Sequence, residues 1–411
     1  MNYRIKIGLL TTLCVTALQS MAQDKILPFP WPEGKKMAIS LTFDDARMTN
    51  PREGTDLLDK YDAKATFFIL PSNVEKDLTN WKKAVANGHE MGNHSIHHPC
   101  SGNFTWSRER SLETYTMDDM RKELQEANRQ IKNLLGVTPT TYAYPCGLTY
   151  LGRGRNTESF VPLIDELFLA GRSWRDEAPA DPNYGDLAKL TGMEMDGKDF
   201  EEILPLIQQA SRDTQWLILA GHETKESGNQ TTRLATLEKI IQFAQDPQNG
   251  IWLAPMGTIA EYVKNKRAEG VINIPERIYP ETGNKYVLSA QKGKGIGPKI
   301  AYMPEWMAFG WFTAKDRVEW DVEVSKAGTY DVSLDWSVDD KTAGNAYYFK
   351  SPTGKITGTI GKTGSWETFK EQKIGKIKLE AGRQKLVFGS DVDDVKVGLL
   401  DLRKIVLTPS K

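Results

Sequence analysis

The sequence predicts two units of different class: an α/β unit over about residues 36–265 and an all-β unit after about residue 280. Apolar runs of strand length alternate with amphipathic helical patterns in the first stretch. Strands alternating with helices imply a parallel sheet, open or closed into a barrel. After residue 280 the helical period disappears, and short runs alternate apolar with charged residues between glycine turns, the grammar of a sandwich. The chain has 411 residues, 39% hydrophobic and 26% charged. That is ordinary globular composition, with length for two or three domains at about 150 residues each. The formal net charge of −1 gives no general attraction to nucleic acid or an anionic membrane.

Taken in order, "MNYRIKIGLLTTLCVTALQSMAQ" reads as a leader. Arg4 and Lys6 precede an apolar run from Ile7 to Leu18, and small residues Ser20 and Ala22 follow at a cleavable spacing. The run is too short to span a bilayer, and the reading places cleavage after Ala22, with export of a soluble protein to the periplasm or the exterior. Cys14, inside the run, matches a lipid-attachment signal poorly. The strand "KMAISLTF" carries Met37, Ile39, Leu41 and Phe43 at period two. "PREGTDLLDKYD" is a short helix and "KATFFIL" a compact strand. "NVEKDLTNWKKAVANG" is a helix stopped at Gly88. Thr116 and Asp119 form a capping box for the next helix. In it Met117, Met120, Leu124, Ala127, Ile131, Leu134 and Leu135 repeat at three and four until Gly136 and Pro139. "TTYAYP", "LFLAG" and "QWLILAG" are strands, and "TTRLATLEKIIQFAQD" and "APMGTIAEYVKN" are late helices. In the second unit, Val318, Trp320, Val322 and Val324 alternate with acids, and Tyr330, Val332, Leu334 and Trp336 repeat the pattern. Residues 271–300 read as a linker. There are no internal repeats.

Five histidines occur in the chain, and four fall between His89 and His98. His94 and His98 are four apart, so one helical turn would put both rings on one face, where they can share a metal ion. Asp44 and Asp45 close the first strand, in "LTFDDA". Aspartate there can simply cap a helix. In parallel α/β units, however, ligands gather at the carboxyl ends of strands. With both ends on one face, Asp45, His94 and His98 would make a three-ligand site with a position left open, the pattern of a catalytic metal.

"TFDD", "HSIHHP", "YPCG" and "LILAGHE", in this order, resemble the polysaccharide deacetylases of carbohydrate esterase family four over roughly residues 36–265. The resemblance implies a distorted (β/α) barrel that removes N- or O-linked acetyl groups from an acetylated oligo- or polysaccharide. It implies one divalent metal, zinc foremost, with cobalt or nickel as alternatives. Transferred by motif, Asp45, His94 and His98 would bind the metal. Asp44 would be the base that activates the attacking water, and His222 the acid that protonates the leaving amine or alcohol. The backbone N–H of Cys146, after Pro145, would complete an oxyanion hole. A metal, a base, an acid and oxyanion donors are what this hydrolysis needs. Two departures stand out. Ala143 occupies the place of the family's arginine, which holds the base, and Cys146 that of an aromatic. Arg172, in "GRSW", is the candidate substitute, and Asp176 the candidate to orient His222. If both motifs line one site, Cys100 and Cys146 rise from the same end of the barrel, and export permits a disulfide between them.

The remaining residues take structural readings. His89 is a hydrogen-bonded structural residue, and His97 is out of phase with its neighbours. Arg153 and Arg155 belong to a solvated loop. Trp320 and Trp336 face the core of the β unit, while Trp306, Trp311 and Trp366, near turns, are the better candidates for stacking on a sugar. "EVSKAGTYDVSLDWS" and the stretch from "TGSWETF" to "KLVF" are similar to galactose-binding-like jelly rolls, including carbohydrate-binding modules of family six; the fold alone does not establish binding. The expected organisation is a leader at 1–22, a deacetylase-like barrel at 23–270, a linker at 271–300 and a β-sandwich at 301–411. Within the enzyme class the rival is an O-acetyl esterase using the same machinery. Outside it the rival is a non-catalytic carbohydrate-binding protein on a barrel scaffold.

Overall fold

The computed structural model describes residues 28–391 and 398–410, and all counts below are of these residues. The expected leader, with Cys14, lies outside them.

The first unit is an eight-stranded parallel sheet: β1 (Met37–Asp44), β2 (Thr66–Ile69), β3 (Glu90–Asn93), β4 (Thr141–Ala143), β5 (Ala170–Arg172), β6 (Met193–Glu194), β7 (Trp216–Gly221) and β8 (Ile251–Leu253). Its order is β5-β4-β3-β2-β1-β7-β6, with β8 paired to the start of β1. All of β1 is buried. Its odd-numbered residues, Met37, Ile39, Leu41 and Phe43, pack into a core with Leu58, Trp81, Ile203 and Leu237 from the surrounding helices. Its even-numbered residues face the interior, where Ala38 meets Phe68, Trp216 and Ile218. The interior polar side chains are satisfied. Ser40 Oγ donates to the Ala254 carbonyl (3.0 Å) and Thr42 Oγ1 to that of Leu219 (2.9 Å), as burial requires. The period-two pattern is therefore one of two buried faces, as expected of a parallel sheet covered on both sides.

The barrel is distorted where β5 and β6 meet. Leu190 bridges Arg172 in parallel, and three residues later Met193 and Glu194 pair with β7. A short irregular segment thus joins the two edges. The helix Met117–Leu135 has the expected capping box between Thr116 and Asp119 and ends at Gly136, whose φ of +77° suits glycine. "TTR" at Thr231–Arg233, read as the start of a helix, is instead a short strand paired with Glu223–Lys225; the helix begins at Leu234.

The second unit is all-β, with two antiparallel sheets. Its strands are β9 (Tyr286–Ser289), β10 (Lys294–Ile296), β11 (Ala301–Met303), β12 (Ala308–Gly310), β13 (Arg317–Val324), β14 (Gly328–Ser337), β15 (Ala346–Lys350), β16 (Lys355–Thr359), β17 (Lys370–Leu379), β18 (Gly382–Gly389) and β19 (Asp401–Pro409). One sheet runs β11-β12-β19-β14-β17 with β9 on β19, and the other β10-β13-β18-β15-β16. Trp320 and Trp336 are core residues, as their strand phase predicts, and Trp311 is exposed. The 271–300 linker is a correction. β9 and β10 fall within it, and Ile278 bridges Val322. These strands have three or four residues, too few to show a period of two in sequence.

Candidate metal centre

The carboxyl ends of β1 and β3 bring the expected ligands together. Nε2 of His94 lies 3.4 Å from Asp45 Oδ1, and Nε2 of His98 lies 3.6 Å from the same oxygen. The three donor atoms fall within 4.8 Å of one another. Two imidazoles and one carboxylate oxygen converging at this distance fit a divalent cation. Two of the three, His94 and Asp45, are held from behind. His94 Nδ1 donates to the Ala143 carbonyl (2.9 Å), which leaves Nε2 with its lone pair free. Arg47 donates to Asp45 Oδ2 from Nη2 (2.8 Å) and Nε (3.0 Å), turning Oδ1 toward the histidines.

The histidine spacing works by a different geometry from the helical turn expected. Residues 94–99 form a tight loop, with Ser95 and His98 in the left-handed region (φ +66° and +51°). Asn93 Oδ1 accepts from Ser95 N (2.6 Å) and Ser95 Oγ from His98 N (2.9 Å). Glu123 Oε1 accepts from the N–H groups of Ile96 and His97. The turn folds back on itself, so the rings of His94 and His98 stand 4.8 Å apart. Asp45 and Ala46 also take positive φ (+72° and +52°). Backbone strain of this kind persists where surrounding structure over-determines it, often at functional sites.

Burial opposes ionisation of Asp45, but the neighbouring imidazoles, His94 first and then His98 and His222, outweigh it and hold the carboxyl well below its usual range. Burial, then the neighbouring His94, brings His98 down to about 4. A neutral imidazole is the form that binds metal.

Arg172 is in register with Ala143 on the neighbouring strand. Arg172 Nη2 donates to Asp44 Oδ1, Nε to Thr42 Oγ1 (3.1 Å) and Nη1 to the Ser173 carbonyl (3.0 Å). Both members of the pair are buried.

Asp176 does not orient His222. Its Oδ2 accepts from Ser173 Oγ and from Gly192 N (2.8 Å), which pins the irregular edge segment instead. The partner of His222 is Asp196. Asp196 Oδ2 accepts from His222 Nδ1 (2.7 Å), and Oδ1 accepts from His222 N (3.1 Å) and Thr232 Oγ1 (2.8 Å). Asp196 follows β6, a two-residue strand that leaves no periodic trace; its one signal was a carboxylate in "MEMDG" just past an apolar pair. Burial lowers the His222 pKa, but the Asp196 hydrogen bond and the charges of Asp44, Asp196 and Asp45 raise it above the ordinary 6.5. Asp196→Asn should therefore move the alkaline limb of kcat/KM to lower pH, compared at equal metal content. Profiles from about pH 5 to about pH 9 check this, and an unmoved limb separates His222 from proton transfer.

Of the other histidines, His89 accepts from Ala65 N (3.2 Å) through Nδ1 and faces Asp59 through Nε2, a structural role. His97 pairs with Glu123 Oε2 (2.9 Å). Cys100 and Cys146 form a disulfide, with Cα atoms 6.0 Å apart, and Cys146 takes φ +56° between Pro145 and Gly147. Closing 46 residues is worth about 4 kcal/mol in the chain-entropy model. Cys100→Ser/Cys146→Ser should lose up to that amount in chemical denaturation; an unchanged midpoint would exclude a stabilising bridge.

Residues 32–156 match the family model described as polysaccharide deacetylase. Among curated proteins, a gellan lyase of a Bacillus species is 24% identical over 268 residues, 59% of this chain and 10% of that protein. A peptidoglycan-N-acetylglucosamine deacetylase of Bacillus cereus is 30% identical over 131 residues, 29% of this chain and 43% of that protein. The peptidoglycan-N-acetylglucosamine deacetylase PgdA of Listeria monocytogenes is 29% identical over 110 residues, 26% of this chain and 21% of that protein. The chain thus spans less than half the length of these relatives. A solved structure, a putative polysaccharide deacetylase from Mycobacterium smegmatis, is 19% identical with a TM-score of 0.44, over 58% of this chain and 94% of that one. The family match over residues 32–156 supports a polysaccharide deacetylase domain in this chain.

Proposed function

We propose that this protein is a metal-dependent hydrolase that removes acetyl groups from a carbohydrate, with N-acetyl groups as the favoured target, acting after export. One observation carries the reading. The three-ligand cluster is flanked by two buried acid–base pairs of opposite kind: Asp44 against Arg172, and His222 against Asp196.

Asp45, His94 and His98 would hold the metal. When bound, the metal supplies Lewis acidity to an acyl carbonyl and to water. The other roles fall to the chain itself. Arg172 holds the Asp44 carboxylate in position through Oδ1, so Asp44 accepts the proton of the attacking water. Asp196 fixes the His222 tautomer with Nδ1–H donated and raises its proton affinity, so His222 protonates the departing amine. The Cys146 N–H, on a loop fixed by the disulfide, is the oxyanion donor; a backbone donor needs no particular side chain, so the departure at this position leaves the role intact.

The test is acetate release from acetylated chitin, xylan and peptidoglycan fragments. It is measured on the protein as purified, after chelation, and after restoring zinc, cobalt or nickel. Release that chelation abolishes and a metal restores supports the reading. Release insensitive to chelation, or none from any acetylated sugar, overturns it.

A further inference from the structure

Beside the ligand cluster, two large aromatic side chains stand open to solvent. Trp106 is 62% exposed and Phe104 46%. Their rings stack with centroids 5.5 Å apart, and the Trp106 ring lies 5.7 Å from that of His98. An apolar surface therefore runs outward from a metal ligand. Aromatic area left in water forgoes burial, and a contiguous exposed patch at a polar site marks a binding surface.

The loop that carries them is fixed. Cys100 is tied to Cys146. Ser107 Oγ accepts from Cys100 N and donates to the Cys100 carbonyl, both at 3.0 Å. Leu112 N donates to the same carbonyl (2.9 Å). Glu113 accepts from Ser101 Oγ (2.8 Å) and Gly102 N (2.9 Å). The aromatic pair is thus presented in advance, which lowers the ordering cost of binding. Against Trp106 opens a cavity of about 240 Å³ lined also by His97, Ser107, Glu109 and Arg110, which sets a donor and an acceptor beside the apolar plane.

We infer that Phe104 and Trp106 form a stacking platform for the sugar ring next to the one that carries the acetyl group, on a β-linked pyranose chain with equatorial hydroxyls. Equatorial hydroxyls leave axial C–H bonds on both ring faces, so each face is apolar and matches an aromatic plane. The hydroxyls then point to the rim, where Arg110 and Glu109 stand. Which ring is stacked rests on the deacetylase reading; the stacking itself needs no turnover.

The two are tested apart. Asp44→Asn protein, metal-loaded, is titrated calorimetrically with β-1,4-linked N-acetylglucosamine tetrasaccharide and with acetylated xylotetraose. Adding Phe104→Ala and Trp106→Ala should weaken binding of at least one probe about tenfold or more, while Phe104→Tyr and Trp106→Phe should retain it. Phe104→Ala alone leaves Trp106 against His98, so it reports stacking without disturbing the ligand; metal content is measured in every variant. Equal affinity in the alanine variants, or no binding of either probe to the parent, overturns the platform. Aromatic-dependent binding with no acetate released by the wild type keeps the platform and overturns the deacetylase reading. Acetate release without aromatic dependence does the reverse.

Discussion

Replacing His94 with alanine should leave a folded protein that no longer retains stoichiometric divalent metal, with acetate release at background. The expected loss is complete because the site has only three donors. Two remaining ligands, one of them an aspartate already engaged by Arg47 through its other oxygen, cannot hold a cation against dialysis. The fold should survive, since His94 makes one hydrogen bond through its ring, to the Ala143 carbonyl. Leaving that buried acceptor unpaired costs about 1–3 kcal/mol. Elemental analysis after dialysis, beside a melting curve, separates metal loss from unfolding. Full occupancy in His94→Ala would mean that the ligands lie elsewhere. Phe104, Trp106 and the Cys100–Cys146 bridge supply no ligand, so substitutions there should leave occupancy unchanged.

Much of this site was legible because its residues are chemically rare and lie at strand ends. Asp44 and Asp45 close the longest and most regular barrel strand, and four of five histidines sit in one loop. Arg172 was found by asking what replaces an arginine, and a parallel register turns that question into geometry: Ala143 and Arg172 are neighbours across β4 and β5. What escaped was set by tertiary contacts that leave no local period. The His94–His98 turn is built by Asn93, Ser95 and Glu123, and Glu123 lies 25 residues beyond His98 on another element. A spacing of four fits a helix equally well, so the spacing could not choose. Asp196 was missed and Asp176 preferred for the same reason. Both acids sit in the irregular segments around β6, and only the closure of the barrel decides which one faces His222. The linker boundary failed because β9 and β10 are stabilised by pairing with β19 and β13, not by their own pattern.

Asp44→Asn should keep its metal and lose about 10²–10⁴ in turnover, the usual worth of one positioned proton acceptor. Asparagine has the same shape, and its oxygen can still accept from Arg172, so the candidate ligands Asp45, His94 and His98 are left in place. The charge is what disappears. Arg172 shows how much rests on that charge: its side chain is fully buried and that of Asp44 is 5% exposed. Its other polar contacts, to Thr42 and Ser173, are neutral. Removing one member of a buried ion pair strands the other, at about 3–5 kcal/mol. Arg172→Met should therefore destabilise the fold by that order and also lower turnover, because Asp44 loses the hydrogen bond that aims it. Asp44→Asn/Arg172→Met should regain much of the stability lost in Arg172→Met, since no unpaired charge remains, yet stay as inactive as Asp44→Asn. Denaturation midpoints, metal content and acetate release on the three variants form the cycle. Wild-type turnover in Asp44→Asn would remove Asp44 from the proton transfer. A double variant less stable than Arg172→Met would mean that Arg172 serves the fold through Thr42 and Ser173, not through the carboxylate.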